Sequence, residues 1–202
     1  MNEDFFAEGL LPTTAVSDGL SGRGSMDASI KPLKSSDHVM GKALTVKLKK
    51  GQNAAFLKAL EIAGPEHVLV VDTEEDTTYA LAGDFVVGMA QTLGVRGIVT
   101  NGVIRDRLEI EELGLPVFCQ GSTPNAGAKQ EAGHVNVPIS CGGVAVQPDD
   151  IVVADADGVV VIPQEEAETT IARAKEKLEK DEAREQKIAG NIEEIKTYLA
   201  SF

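Results

Sequence analysis

The chain has 202 residues, 43% of them hydrophobic, which is enough to bury a full core and fits one domain with appendages better than two. Its formal charge of −13, from 32 acidic against 19 basic residues, opposes a phosphate backbone and supplies no basic stripe to follow one, so no direct nucleic-acid binding is expected. No run approaches the roughly eighteen apolar residues of a membrane span, and the opening MNEDFFAEGLLP has neither the basic nor the apolar region of a signal peptide, so a cytoplasmic protein with no membrane partner is expected.

In chain order, Thr13 or Thr14 is placed to cap a short helix that Gly19 and Gly22 end. Ala43, Thr45 and Val46 belong to a strand closing at Gly51, and residues 52–63 carry the spacing of an amphipathic helix before Gly64-Pro65. HVLVVD at 67–72 is apolar until Asp72, as in a strand buried on both faces whose carboxylate marks the exit into a loop, here the acidic TEEDTT. A helix follows from Ala80, with Phe85, Val86, Met89, Ala90 and Leu93 at helical spacing and Gly94 as its stop. RGIVT at 96–100 is a second buried strand, and Asn101-Gly102 is a turn signal directly after it. VIRDRLEIEEL opens a short helix stopped by Gly114, and LPVFCQG at 115–121 is a third strand.

Residues 122–133 have loop composition. VNVPIS, CGGVAVQPDD, IVVADADG and VVVIP then predict a meander of short strands, with a tight turn at Asp155 to Gly158. From Gln164 to Leu199 the chain reads as helix broken near Gly190. Cys119 and Cys141, without metal-site spacing, are expected as buried thiols, and His38, His67 and His134 as structural or exposed side chains. Strand alternating with helix up to residue 121, followed by β-rich turns, predicts an α/β fold, a central layer with a second sheet packed on it.

Chemistry concentrates in residues 83–109, GDFVVGMAQTLGVRGIVTNGVIRDRLE. Gly83 and Asp84 stand at a helix start, where unpaired N–H groups favour a bound carboxylate. Arg105 and Asp106 follow the C-terminal end of a buried strand, the usual edge for ligand crevices in such sheets. Arginine offers a planar fork for a carboxylate or developing enolate, and aspartate a hard oxygen for Mg²⁺ or Mn²⁺. Surface ion pairs and helix caps use the same residue types, so this dipeptide alone does not decide for catalysis.

Twenty residues separate Asp84 from Arg105-Asp106, and Asp-x20-Arg-Asp resembles the active-site signature of the 4-hydroxy-4-methyl-2-oxoglutarate/4-carboxy-4-hydroxy-2-oxoadipate aldolases of the RraA-like family. The resemblance extends through TTAVSDGL, IKPL, GKALTV, VLVVD and VPISCGGVAVQPDDIVVADADGVVVIP, most of residues 12–182. It implies a swivelling β/β/α, phosphohistidine-domain-like fold over residues 1–163, and a helical extension over 164–202 that packs on the same domain or a neighbouring subunit of a homotrimer or hexamer. It further implies a metal-dependent (class II) pyruvate aldolase acting on a small 2-oxo acid, with oxaloacetate decarboxylation as a side activity.

Carried over residue by residue, the N–H groups of Phe85 and Val86, beside Gly83, hold the substrate carboxylate, and Arg105 contacts substrate oxygens. Asp106 ligates Mg²⁺ or Mn²⁺, Asp84 orients water on the metal, and Glu109 supports the metal's ligands from outside its coordination sphere. Glu179 and Glu182 are the candidates for an acidic residue reaching a neighbouring subunit's site. TEEDTT replaces the usual glycine-rich segment and TNG at 100–102 the usual DG-containing turn, which bears on the substrate. The family also contains proteins that bind and inhibit ribonuclease E, the alternative reading. No glycine-rich nucleotide loop supports a methyltransferase.

Overall fold

The computed structural model describes residues 10–128 and 133–201. After α1 (Thr13–Gly19) come β1 (Lys31–Pro32) and β2 (Val39–Leu48), then α2 (Ala54–Ala59), β3 (His67–Asp72), α3 (Asp84–Thr92), β4 (Gly97–Thr100), α4 (Arg107–Leu113) and β5 (Val117–Cys119). The β-rich stretch supplies β6 (Gly133–Val135), β7 (Ile139–Cys141), β8 (Val144–Val146), β9 (Ile151–Asp155) and β10 (Gly158–Ile162), before α5 (Ala167–Ile188) and α6 (Ile192–Leu199).

Strands β2, β3, β4 and β5 are mutually parallel and adjacent in that order, each joined to the next by a helix. Alternation along β3 explains why it is apolar throughout. Leu69 and Val71 face α2, α3 and α4 with Phe56, Ile98, Ile110 and Val117, whereas Val68 and Val70 pack on the other face with Phe118, Ile139, Cys141 and Val146. The second face is covered by β7 and β8, a separate two-stranded antiparallel sheet. The result is the mixed β/β/α fold with C-terminal helices, and it puts the ends of β3 and β4 on one edge, where their loops meet.

Several elements differ from the sequence expectation for local reasons. The predicted helix over 52–63 is confined to α2, because Asn53 gives its N–H to Ala128 and the N–H groups of Leu60, Glu61 and Ile62 turn to carbonyls three residues back. The expected loop 122–133 ends in Gly133, the first residue of β6, which pairs with β2; residues 129–132 lie outside the described residues. The β-rich stretch is no simple meander. β9 and β10, buried along nearly their whole length, join the main sheet beside β2. Gly190, with φ of 71°, separates α5 from α6 as expected, and both cysteines are buried.

Neither threonine caps α1: the N-cap is Pro12, and Thr13 gives both its N–H (2.8 Å) and its hydroxyl (2.6 Å) to the carboxylate of Asp155 on β9. Burial raises the Asp155 carboxyl, but these bonds, the N–H of Asp157 and nearby His38 outweigh it and leave it below its ordinary value. A depressed carboxyl contributes stability that is complete above the unfolded value of about 3.9 and is lost as pH falls through the folded one. Asp155→Ala is therefore expected to cost about 1–2 kcal/mol near neutrality, at the low end for bonds to a partly solvated charge. Thermal melts of both proteins should converge as the pH falls through that lowered folded value.

Candidate active site

Two chain segments leave the sheet side by side and stay together. Beyond β3 and its acidic loop, Ala80 bridges to Val103, and Leu81 donates its N–H to the Val103 carbonyl at 3.0 Å. Arg105 then donates its N–H to Ala82 at 3.1 Å, so Gly83 emerges directly against Arg105 and Asp106. The contact is close: a Cβ on Gly83 would sit 2.2 Å from Oδ2 of Asp106 and 2.9 Å from Nε of Arg105. Gly83 has an ordinary extended backbone, φ −119° and ψ −174°, so glycine is required here by proximity and not by conformation.

Asp84 is the first residue of α3 and Gly83 its N-cap. Val86 and Val87 both donate N–H to the Gly83 carbonyl at 3.1 Å, whereas the N–H groups of Asp84 and Phe85 have no acceptor among the described residues. An anion at this helix end would thus meet Asp84 and Phe85 before Val86.

Asp106 is the N-cap of α4 in the left-handed region, φ 54° and ψ 46°, yet its side chain makes no capping hydrogen bond. The carboxylate turns instead toward Nε of Arg105, 3.2 Å away, and both side chains remain partly exposed, at 43% for Arg105 and 33% for Asp106. The helix-cap use of this aspartate is excluded by that geometry. The ion pair is present but leaves both groups accessible to a ligand, and aspartate tolerates the left-handed conformation better than most residues.

Glu109 lies in the first turn of α4. With Asp84, Phe85, Met89, Leu93 and Leu113 it lines a groove of about 860 Å³ between α3 and α4, which starts beside the Arg105–Asp106 pair and does not include it. Phe85, 75% exposed, and Leu108, 69% exposed, make this neighbourhood apolar at the surface. Glu179 and Glu182 are both exposed on α5, which packs chiefly on α1. Among the described residues no three His, Cys, Asp or Glu side chains cluster as a metal cage, and no helix is long and apolar enough to cross a membrane.

Behind the site lies a polar cluster that sequence patterns do not isolate. Asn101, read from sequence as half of a turn signal, is buried and bonded to Thr73 and Asp72, and Gly102 is where Thr73 packs. The one available signal was a polar residue at the end of each of two adjacent buried strands.

The family described as RraA-like, Aldolase/RraA, matches residues 13–161. A protein of Halalkalibacterium halodurans named "Putative 4-hydroxy-4-methyl-2-oxoglutarate aldolase" is 48% identical over 189 residues, covering 94% of this chain and 90% of that one. Among solved structures, Streptomyces coelicolor RraAS2, described as an unusual member of the RNase ES inhibitor RraA protein family, superposes with a TM-score of 0.77 at 32% identity, covering 87% of this chain and 91% of that one. The RNA-processing inhibitor RraA of Thermus thermophilus superposes with a TM-score of 0.69 at 31% identity, covering 76% and 93%. With the match spanning the sheet, both loops and the Arg105–Asp106 pair, the chain belongs to the RraA-like family.

Proposed function

We propose that this protein is a divalent-metal-dependent pyruvate aldolase that cleaves a 4-hydroxy-2-oxo acid such as 4-hydroxy-4-methyl-2-oxoglutarate and decarboxylates oxaloacetate as a side reaction, in a cytoplasmic setting. The observation that carries it is the seating of the Arg105–Asp106 pair against Gly83 at the start of α3, next to two N–H groups without acceptors among the described residues.

Mg²⁺ or Mn²⁺ fits this donor set. Such ions keep several waters and take one or two carboxylates plus substrate oxygens, and Asp106 offers one hard, accessible oxygen in a cradle that a Cβ at Gly83 would fill. Asp106 would hold the ion, with Asp84 and Glu109 as carboxylates near its water shell. Bound there, the ion would supply Lewis acidity for forming the enolate of the 2-oxo acid.

The chain's own groups account for binding and charge. The N–H groups of Asp84 and Phe85 receive the C1 carboxylate, helped by the positive end of the α3 dipole. Asp84 orients the water that carries away the 4-hydroxyl proton. As that proton leaves, the C3–C4 bond breaks, C4 becomes a carbonyl, and the electron pair remains on the pyruvate enolate. The guanidinium of Arg105 stabilises that oxyanion, and protonation at C3 gives pyruvate. Oxaloacetate forms the same enolate when its C4 carboxylate departs as CO₂.

Phe85 and Leu108 beside the site, with Ile192, Ile195 and Leu199 exposed on α6, support self-association as a homotrimer or hexamer. The charge of −13 and this apolar surface also favour a second reading, a protein-binding regulator that inhibits an enzyme of the ribonuclease E type. Pyruvate release from 4-hydroxy-4-methyl-2-oxoglutarate and from oxaloacetate, with Mg²⁺ and with EDTA, separates the two. Turnover of both substrates that EDTA abolishes is expected. No turnover, or turnover indifferent to EDTA, would remove the aldolase reading and leave the regulator.

A further inference from the structure

One side chain joins the exit of β3 to the exit of β4. Asn101 is 3% exposed. Its Oδ1 accepts the N–H of Thr73 at 2.8 Å and the Thr73 hydroxyl at 3.2 Å, and its Nδ2 donates to Oδ1 of Asp72 at 3.0 Å. The polarity of the amide is therefore set from both sides, two donors facing its oxygen and a carboxylate facing its nitrogen. The clamp is tight, since a Cβ on the next residue, Gly102, would lie 2.5 Å from Oγ1 of Thr73.

The loop it secures is strained. Glu74 and Glu75 follow one another at φ of 56° and 58°, held by the Asp72 carboxylate on the Glu74 N–H (2.9 Å) and by the Asp76 carboxylate on the N–H groups of Gly51, Thr78 and Tyr79. Immediately beyond the clamp begins the ladder from Ala80–Val103 to Ala82–Arg105 that delivers Gly83 to Arg105 and Asp106.

We propose that Asn101 is a positioning residue for the site. By fixing the spacing of the two loops through an amide of defined polarity, it sets the seating of Arg105–Asp106 against Gly83, on which the aldolase reading also rests. The groups facing it are Asp72 on β3, Asp76 in the loop and Cys141 on β7, whose thiol is pushed up to about 12 by burial and so stays neutral. Lys47 on β2 is the register partner of Asp72, and Lys50 lies on the Asp76 side.

The test uses Asn101→Asp, Asn101→Ala and the exchange Asp72→Asn with Asn101→Asp. In Asn101→Asp two buried carboxylates face each other and hold one proton between them at low pH, where that proton replaces the amide donor, and they repel when it is lost. Pyruvate release relative to wild type should be best near about pH 5 and fall about a hundredfold further toward pH 8. Over the same interval the protection of the Arg105 amide against hydrogen exchange, measured on the free protein, should drop while that of β9 and β10 holds. Asn101→Ala should be impaired throughout, and the exchange variant, which restores one carboxylate and one amide, should recover with no such pH dependence.

An Asn101→Asp protein that follows the wild-type pH profile with Arg105 protection unchanged would overturn the proposal. Should that variant not fold at any pH, unchanged Arg105 protection in Asn101→Ala would overturn it equally. A wild type without turnover would sink the aldolase reading alone, because the exchange measurement decides the positioning role without it.

Discussion

Asp106→Asn is expected to lower pyruvate formation by about a thousandfold or more while leaving the fold intact. Asparagine keeps the volume of the side chain and is also at ease in the left-handed conformation, φ 54°, that this position requires. What it removes is the anionic oxygen that would hold a divalent ion and balance Arg105. Lewis-acid and oxyanion stabilisation are together worth several kcal/mol, and about 4 kcal/mol corresponds to a thousandfold at 1.4 kcal/mol per decade. Because Asp106 is partly exposed and caps nothing through its side chain, the melting temperature should move little. Steady-state pyruvate release and a thermal melt on the same preparation check both halves. A variant with near wild-type rate would show that the carboxylate charge has no part in turnover.

Gly83→Ala is expected to separate function from stability in a similar way, with a loss of about a hundredfold in kcat/KM. The added methyl would lie 2.2 Å from Oδ2 of Asp106, 2.9 Å from Nε and 3.1 Å from Cγ of Arg105. No such contact survives, so one or both side chains must move aside. They can do so cheaply, being partly exposed ends of mobile groups, and the Gly83 backbone accepts alanine without strain. The methyl removes the cradle and displaces the pair from the start of α3 by about an ångström, a shift that costs catalysis far more than it costs folding. Kinetics with and without saturating Mg²⁺, next to a melt, check this; a fully active Gly83→Ala would mean that the pair need not sit where it does.

Much of this geometry was legible in the sequence, and the reasons differ from element to element. VLVVD and GIVT declare themselves because strands buried on both faces are continuously apolar, and Gly114 and Gly190 mark helix ends because both adopt a positive φ. The sequence pattern places Asp84 at a helix start and Arg105-Asp106 beyond a strand end, but only the resemblance of Asp-x20-Arg-Asp to the family signature singles them out as a site. Their mutual contact was not legible, because it depends on the ladder between residues 80–82 and 103–105, a pairing made only once the sheet exists.

Thr13 misleads for a related reason: its local pattern is that of a cap, but its hydroxyl is claimed by Asp155, 142 residues away. Asn101-Gly102 has the composition of a tight turn, yet Asn101 is spent on Thr73 and Asp72 and Gly102 makes room for Thr73. β1 is only two residues long, one of them Pro32, and carries no periodicity to read.

The central claim is that Asp106, Arg105 and the start of α3 together stabilise the enolate of pyruvate, and it can be tested on pyruvate alone, without regard to the rest of the substrate. Exchange of the pyruvate methyl protons with deuterated water, followed by proton NMR, reports that enolate directly. With wild type and Mg²⁺ the methyl signal should decay, and EDTA or Asp106→Asn should halt the decay. An undiminished methyl signal with folded wild type and Mg²⁺, or equal decay in Asp106→Asn, would contradict the claim.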